Sequence, residues 1–430
     1  MNRRKFLKSL LGTGMAAGSG TLGSILGTTA AHAHHVAGAV NPTPTVVIIF
    51  QRGGCDGLNT VVPYGDPNYT TLRPTIGIAA PNGGNPLASL GINDAARGHT
   101  NFFGLNPNMS ALLPIFNAGD LAVMPAVHYP NNTHSHFSGQ DYIESGVPRT
   151  ISNGWAYRHL ESQSKLGSLQ GLGFGRNLAK SLRGNTAVQS LNFLNDFGFP
   201  SAAGNILTRL KQNALPLYNE VQTVDPQMLV HNTGQIMFNN IDTIAGINAV
   251  NYTPANGATY PGGSFGRRLR EIAQLIKNNV GLEVVTVDQG GYDTHSNQGG
   301  AAAGGRQSTR LREFSNGIAA LYTDLGQQMD NVIILTATEF GRTAKENGSA
   351  GTDHGDAASW FMVGKGIQGG IHGAWPGLSS TQLARGRYLN RSLDYRDIYA
   401  DILINHLGHT TAELPTLLPG HTHTPVGVFA

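Results

Sequence analysis

Four short polar clusters in this sequence combine the residue types that hold metal ions and anions. The first is Gln51-Arg52-Gly53-Gly54-Cys55-Asp56-Gly57, where glycines on both sides of Asp56 let the chain turn tightly and expose a carboxylate. The second, His134-Ser135-His136-Phe137, puts a hydroxyl where a helix would begin, among unpaired N–H groups that favour an anionic substrate. In the third, Asp293-Thr294-His295, residues two apart on an extended segment point the same way and can grip one ion. A carboxylate and an imidazole at that spacing suit zinc, manganese or iron. The fourth runs Thr338-Glu339-Phe340-Gly341-Arg342-Thr343, with Asp353-His354-Gly355 eleven residues beyond Arg342. Glu339 is placed as a ligand there, and Arg342 as a bidentate partner for an anion. Each fragment alone has a plainer reading: Asp56 as a turn aspartate, Ser135 as an ordinary helix N-cap, the others as solvated loops.

The elements that carry the clusters make coincidence a poorer account. Val46–Phe50, Leu121–Val127, Leu282–Val287 and Val332–Thr336 are apolar runs that read as buried strands, and 358–363 makes a fifth. Between them lie helical patterns, with Phe265, Leu269, Ile272 and Ile276 in one and Leu311, Phe314, Ile318, Leu321 and Leu325 in another. Asp394 caps a third, through Ile398, Ile402 and His406 to Gly408. Strands alternating with helices predict an α/β three-layer sandwich around a mostly parallel sheet. Chemistry in such sheets gathers beyond the carboxyl ends of the strands, where all four clusters fall. The stretch from about 154 to 261 shows scattered helical patterns (Leu207, Leu210, Ala214; Ile236, Ile241, Ile244) and no clear strands, so it reads as a largely helical insertion or cap.

The charge balance belongs to one end of the chain. The 29 Lys+Arg and 26 Asp+Glu give +3, with only 13% of residues charged and 57 glycines. Arg3, Arg4, Lys5 and Lys8 head an uncharged stretch that closes on Ala31-His32-Ala33, a basic head and small-x-small end that describe an export signal over 1–33. Asn2-Arg3-Arg4-Lys5-Phe6-Leu7-Lys8 resembles the twin-arginine consensus, which implies passage through that translocase to the periplasm or beyond. A linker over 34–44 then leads into one domain over 45–430. Without residues 1–33 the balance is 25 against 26, or −1, so nothing favours nucleic acid. No later run approaches eighteen apolar residues, so no stable membrane insertion is expected. The single Cys55 forms no internal disulfide, and it cannot build an iron–sulfur cluster.

Taken together, the fragments resemble a bacterial family named only as domain-of-unknown-function family 1501. Arg52–Asn59, Ser135-His136-Phe137 with Gln140-Asp141 and Glu144-Ser145-Gly146, Gly290–His295, Glu339–Thr343, Gly351–Gly355 and Asp394–Ala400 carry the resemblance. It implies an alkaline phosphatase-like fold, whose relatives include phosphatases, sulfatases and phosphodiesterases. By position it implies Ser135 as nucleophile, Asp56, Asp293, His295, Asp353 and His354 as metal ligands with Glu339 a further one, and Arg342 or His136 steadying charged oxygens. It also implies one or two divalent ions, zinc before manganese or calcium, acting on a small-molecule or glycan ester.

Three departures stand out. Glu339-Phe340-Gly341 occupies the place after the fourth strand where relatives have Asp-His-Gly, which puts a second metal in question. Asp56 lies six residues past its strand. Neither Cys55 nor Ser135 precedes the x-Pro-x-Arg needed for formylglycine, which excludes a sulfatase of that type. The expectation is an exported metal-dependent hydrolase of phosphate or sulfate esters. Its rival is a non-catalytic exported protein that keeps the fold with a structural or lost metal.

Overall fold

The computed structural model describes residues 42–429, apart from 131–132, 164–168, 186–187, 198–208, 210–211, 214–224 and 248–251. The export signal, most of the linker, and Leu207, Leu210 and Ala214 lie outside the described residues.

Twelve strands are described: β1 Thr45–Arg52, β2 Val61–Val62, β3 Leu90–Asp94, β4 His99–Leu105, β5 Leu121–His128, β6 Gly171–Phe174, β7 Gln189–Leu191, β8 Val284–Gly290, β9 Val332–Ala337, β10 Ala358–Val363, β11 Gly370–Ile371 and β12 Leu393–Asp394. Nine form the central sheet in the order β11-β5-β10-β9-β1-β8-β6-β7, with β12 beside β5. β1 lies at the middle, parallel to β8 (Val46 opposite Val284) and to β9 (Val46 opposite Ile333). β10 runs against both its neighbours, and all other pairings in this sheet are parallel. The remaining strands make a small sheet, β2-β4-β3, which the sequence patterns did not announce.

The principal helices are α1 His136–Ser145, α2 Trp155–Ser162, α3 Asp225–Gly246, α4 Gly263–Lys277, α5 Arg306–Leu325 and α6 Tyr395–Asn405. Alternation along β1 defines the layers. Val47 and Ile49 pack in one core with Val285, Ile334, Phe265, Leu269 and Ile272 of α4, and Leu311, Phe314 and Ile318 of α5. Val46, Ile48 and Phe50 belong to the opposite core with Ile333, Leu335, Ile143 of α1, Trp155 of α2, and Ile398 and Ile402 of α6. Each fully buried aliphatic side chain of this kind stabilises the fold by about 1.5–3 kcal/mol. The three-layer sandwich with a mostly parallel sheet is therefore the observed architecture.

Two local details matter. Pro125 sits inside β5 because the pairing with β10 shifts register between Ala358 and Trp360, so a missing N–H costs no ladder bond there. The 154–261 stretch contains α2 and α3 but also β6 and β7, which extend the central sheet beyond β8. These strands have only four and three residues, and Gly171-Leu172-Gly173-Phe174 offers no β-branched run, so periodicity does not reveal them. Among the described residues no helix is long and apolar enough to cross a membrane.

Candidate metal centre

The carboxyl ends of β5, β1, β8 and β9 meet at one edge of the sheet. The reversed strand β10 begins at that same edge, which is how Asp353-His354-Gly355, just ahead of β10, arrives among residues that come after the parallel strands. Beyond β8 the chain turns through Gly290 and Gly291, seats the Tyr292 ring in the core with its hydroxyl donating to Gln289 Oε1 at 2.7 Å, and projects Asp293 outward. Gly53 makes this turn possible: its φ is +118°, and a Cβ there would lie 2.5 Å from the Asp293 nitrogen. Gly351 is held to the same limit, since a Cβ would lie 2.4 Å from the His295 carbonyl.

Three imidazoles are aimed by what their Nδ1 atoms touch. His136 Nδ1 lies 2.8 Å from Glu339 Oε1, His295 Nδ1 lies 3.1 Å from Asp353 Oδ1, and His354 Nδ1 lies 2.7 Å from the His134 carbonyl. A carbonyl or a carboxylate only accepts, so each Nδ1 carries the proton and each neutral ring presents its lone pair at Nε2. Those Nε2 atoms turn onto one carboxylate. His354 Nε2 and His295 Nε2 lie 3.2 and 3.1 Å from Asp293 Oδ1, and His136 Nε2 lies 3.5 Å from Asp293 Oδ2. His136, Asp293 and His354 offer ligand atoms all within 4.8 Å of one another.

Two features show that this geometry fits a cation. The Nε2 atoms of His295 and His354 are 3.0 Å apart, a contact that repels between two lone pairs and needs a proton or a metal ion to settle it. His136 Nε2 is buried without a hydrogen-bond partner. Three imidazole nitrogens and a carboxylate oxygen suit zinc, and manganese or iron also accept such donors. Acceptors behind each imidazole are the usual outer support of a metal-bound histidine.

Protonation obeys the same contacts. The hydrogen bond to Glu339 holds His136 above the ordinary imidazole range against the effect of burial, whereas burial pushes His354 down. Burial works to raise Asp293, but the Arg342 guanidinium and then the neighbouring histidines hold it at about 2. Glu339 is likewise kept low despite deep burial, by donors on His136, Gln140 and the Gly53 N–H.

The structure redistributes the roles expected from sequence. Asp293, His295 and His354 do converge, and His136 turns its Nε2 toward the same Asp293 carboxylate. Glu339 is turned to other groups: Oε1 accepts from His136, from Gln140 at 3.1 Å and from Gly53 N at 2.9 Å, while Oε2 meets Thr338 Oγ1 at 3.1 Å. Asp353 is spent behind His295, with Asn347 at 3.2 Å and Arg387 at 3.3 Å. Asp56 is sealed away from the centre, because Arg73 grips both its oxygens (2.5 and 2.9 Å) and Gln298 adds a third contact at 2.6 Å. Arg342 is a buried strut: it donates to the carbonyls of Gly53, Gly54, Tyr292 and Thr352 and to Asp293 Oδ1 at 2.6 Å, and its side chain is fully buried. Ser135 is exposed at the N-terminus of α1, directly before His136, and its side chain makes no capping hydrogen bond. Cys55 is buried with its thiol pushed up to about 12 by burial, so it offers no thiolate. Sequence reasoning gave Gln140 no role beyond its place in the family resemblance, and it missed Asn347 and the His134 carbonyl, for which no pattern signals exist, and Arg387, some thirty residues from the nearest cluster.

Fold and site together define an α/β protein with a three-histidine, one-aspartate centre at the carboxyl edge of its sheet. Residues 251–416 match the family described as "Protein of unknown function (DUF1501)", a span that holds Asp293, His295, Glu339, Arg342, Asp353 and His354 but not Ser135 or His136. No curated protein matches the sequence. Among solved structures, the chain is similar to a protein in the alkaline phosphatase superfamily from Vibrio parahaemolyticus, at 9% identity and TM-score 0.35, covering 85% of this chain and 66% of that one. It is similar also to the C-terminal periplasmic domain of EcEptC from Escherichia coli, in complex with Zn, at 9% identity and TM-score 0.38 over 89% of this chain and 88% of that one. The PsFucS1 sulfatase from Pseudoalteromonas sp. matches at 13% identity and TM-score 0.36, over 87% and 69%. Likenesses at these scores say nothing of activity, which rests on the centre itself.

Proposed function

We propose that the protein is a metal-dependent hydrolase of phosphate or sulfate esters with Ser135 as its nucleophile. The observation that carries this reading is the set of Nε2 lone pairs fixed onto Asp293, with a serine one residue before His136 whose hydroxyl its own helix does not use. His136, Asp293, His295 and His354 would hold a divalent ion, which would supply Lewis acidity toward an ester oxygen. The chain's own part is positional. Glu339, Asp353 and the His134 carbonyl lock the tautomers, and Arg342 keeps Asp293 ionised and in place. Ser135 stands at the positive end of the ten-residue α1, where unpaired N–H groups draw an anionic ester toward its hydroxyl. Attack by Oγ on phosphorus or sulfur breaks the bond to the alcohol oxygen, which departs with the hydroxyl proton as the alcohol, and water then cleaves the serine ester and restores the hydroxyl. The basic head and the Ala-x-Ala end of residues 1–33 support export by the twin-arginine route to the periplasm.

The test is a panel of aryl phosphate, phosphodiester and aryl sulfate substrates with zinc, manganese and calcium, alongside metal analysis. Ser135→Ala is expected to abolish turnover while metal stays bound; unchanged turnover removes Ser135 from the mechanism. One observation favours a second reading, an exported protein with a structural metal: the Asp56 carboxylate is neutralised by Arg73, so the donor set is complete for one ion only. Bound metal with no turnover of any ester selects that reading.

A further inference from the structure

The imidazoles of the centre are not held alike, and the difference traces to Phe340. This ring, one residue past Glu339, is buried and packs against two of them. Its centroid is 5.0 Å from that of His136 at a tilt of 31°, and 4.8 Å from that of His354 at 39°. These are the separations of offset aromatic packing. His136 and His354 then meet each other edge to face at 4.4 Å. His295 is placed otherwise. Its ring meets His354 at 4.7 Å, and its side chain is 46% exposed, against 27% for His136 and 21% for His354.

Two glycines leave the space that Phe340 fills. A Cβ on Gly54, in the loop after β1, would lie 2.5 Å from Phe340 Cε2, and one on Gly139 of α1 would lie 3.1 Å from its Cδ1. A ring wedged between a loop and a helix has no room to shift sideways.

This packing supplies what the contacts at Nδ1 do not. A hydrogen bond tolerates a tilt of about 30° before it weakens. Glu339 and the His134 carbonyl therefore fix one atom of each imidazole but leave its plane loosely set. Contact along the ring sets the plane, and with it the direction of the Nε2 lone pair. Zinc and cobalt(II) in four-coordinate sites demand such directions. Manganese, which favours oxygen ligands in an octahedral shell, demands them less.

We propose that Phe340 is a positioning residue of the metal centre: it locks His136 and His354 into one fixed pair, leaves His295 as the ligand that adjusts, and so favours a four-coordinate ion such as zinc over manganese. This role requires that the centre bind a divalent ion, and it holds whatever ester, if any, is cleaved.

Affinities for zinc, cobalt(II) and manganese are measured on the full chain by competition with a chelator, with denaturant unfolding and the cobalt(II) spectrum recorded alongside. Phe340→Leu and Phe340→Met remove the ring. Each is expected to lose about tenfold in zinc and cobalt affinity, the low end of an outer-shell change, and less in manganese affinity. Each should also lose part of the intense visible absorption of four-coordinate cobalt. Phe314→Leu, in the core that α5 forms with the sheet, controls for lost packing: stability is expected to fall while affinities and spectrum stay as in the parent. If neither Phe340 variant folds, Gly139→Ala decides, since alanine suits the helix and its Cβ presses on the same ring. It is expected to weaken zinc binding several-fold, and unchanged zinc affinity there overturns the role of Phe340. So does parent-like zinc affinity in Phe340→Leu, an equal loss for zinc and manganese, or the same loss in Phe314→Leu; in each of these cases the centre itself stands. If the parent chain binds no divalent ion, the centre and this role fall together. If ions bind as stated and no ester is cleaved, the role stands and the hydrolase reading falls.

Discussion

Two clusters of acceptor-held histidines among the described residues lie at opposite edges of one sheet, and they end differently. At the carboxyl edge, three imidazoles are held at Nδ1 and bring their Nε2 atoms onto the Asp293 carboxylate, which is 47% exposed. At the amino edge, His159 Nε2 lies 3.1 Å from Glu283 and His409 Nδ1 lies 3.2 Å from Glu413, while His159 Nδ1 and His409 Nε2 meet at 2.7 Å. Both of these rings are buried. In the amino-edge pair the nitrogens facing Glu283 and Glu413 carry the protons, so one further proton shared between the two inner nitrogens joins the rings. At the carboxyl edge three ring nitrogens face an anion, a gathering that a single shared proton does not serve and a cation does. Aiming imidazoles with carboxylates is therefore common to both places. What sets the carboxyl edge apart is the convergence of the remaining nitrogens on a carboxylate within reach of solvent.

Three substitutions probe that contrast. The largest effect belongs to Asp293→Ala, which removes the anion on which the rings converge; metal affinity is expected to fall by more than about a hundredfold, beyond the loss usual for an outer-shell change. Metal analysis after dialysis reads this directly, and retained metal would break the comparison at its root. His159→Phe comes next. It takes one partner each from Glu283 and His409, and is expected to cost about 3 kcal/mol of stability in denaturant unfolding. Metal content per folded chain should not change; if it does, the two edges are coupled and the amino-edge pair is more than a brace. The smallest effect is expected from Glu339→Gln, which keeps an acceptor for His136 Nδ1 but removes its charge. Metal affinity should drop about tenfold with the fold intact, and a complete loss of metal would restore Glu339 as a ligand.

Much of the frame was legible in sequence because long elements obey periodicity. The β-branched runs of β1, β8 and β9 and the helical spacing of α4 and α5 emerge as expected, and Asp394 does cap α6 by accepting from the Arg396 N–H. The weakly patterned β6 and β7 did not, since strands of three or four residues take their state from the neighbours they pair with.

The site was legible in part. The Asp-x-His spacing of Asp293 and His295 does bring both to one point, as alternation along an extended segment requires. Yet a sequence cannot separate a carboxylate that binds metal from one that holds a histidine in place, and it does not show that Glu339 and Asp353 each lie against a histidine Nδ1. Nor can it show that Arg73, seventeen residues on, closes Asp56. His136 was assigned to the substrate because nothing local ties it to Glu339, about two hundred residues away.

Residues close in the chain were enough to set the alternation of buried strands and amphipathic helices, the placement of polar clusters after the strands, and the glycines that let them turn. The division of labour among the acidic and imidazole groups arose only on folding. The direction of β10 carried His354 to the shared edge, and Arg342 joined three loops around Asp293. That assignment depends on which lone pair meets which donor across hundreds of residues, a matter of distance in space that spacing along the chain does not encode.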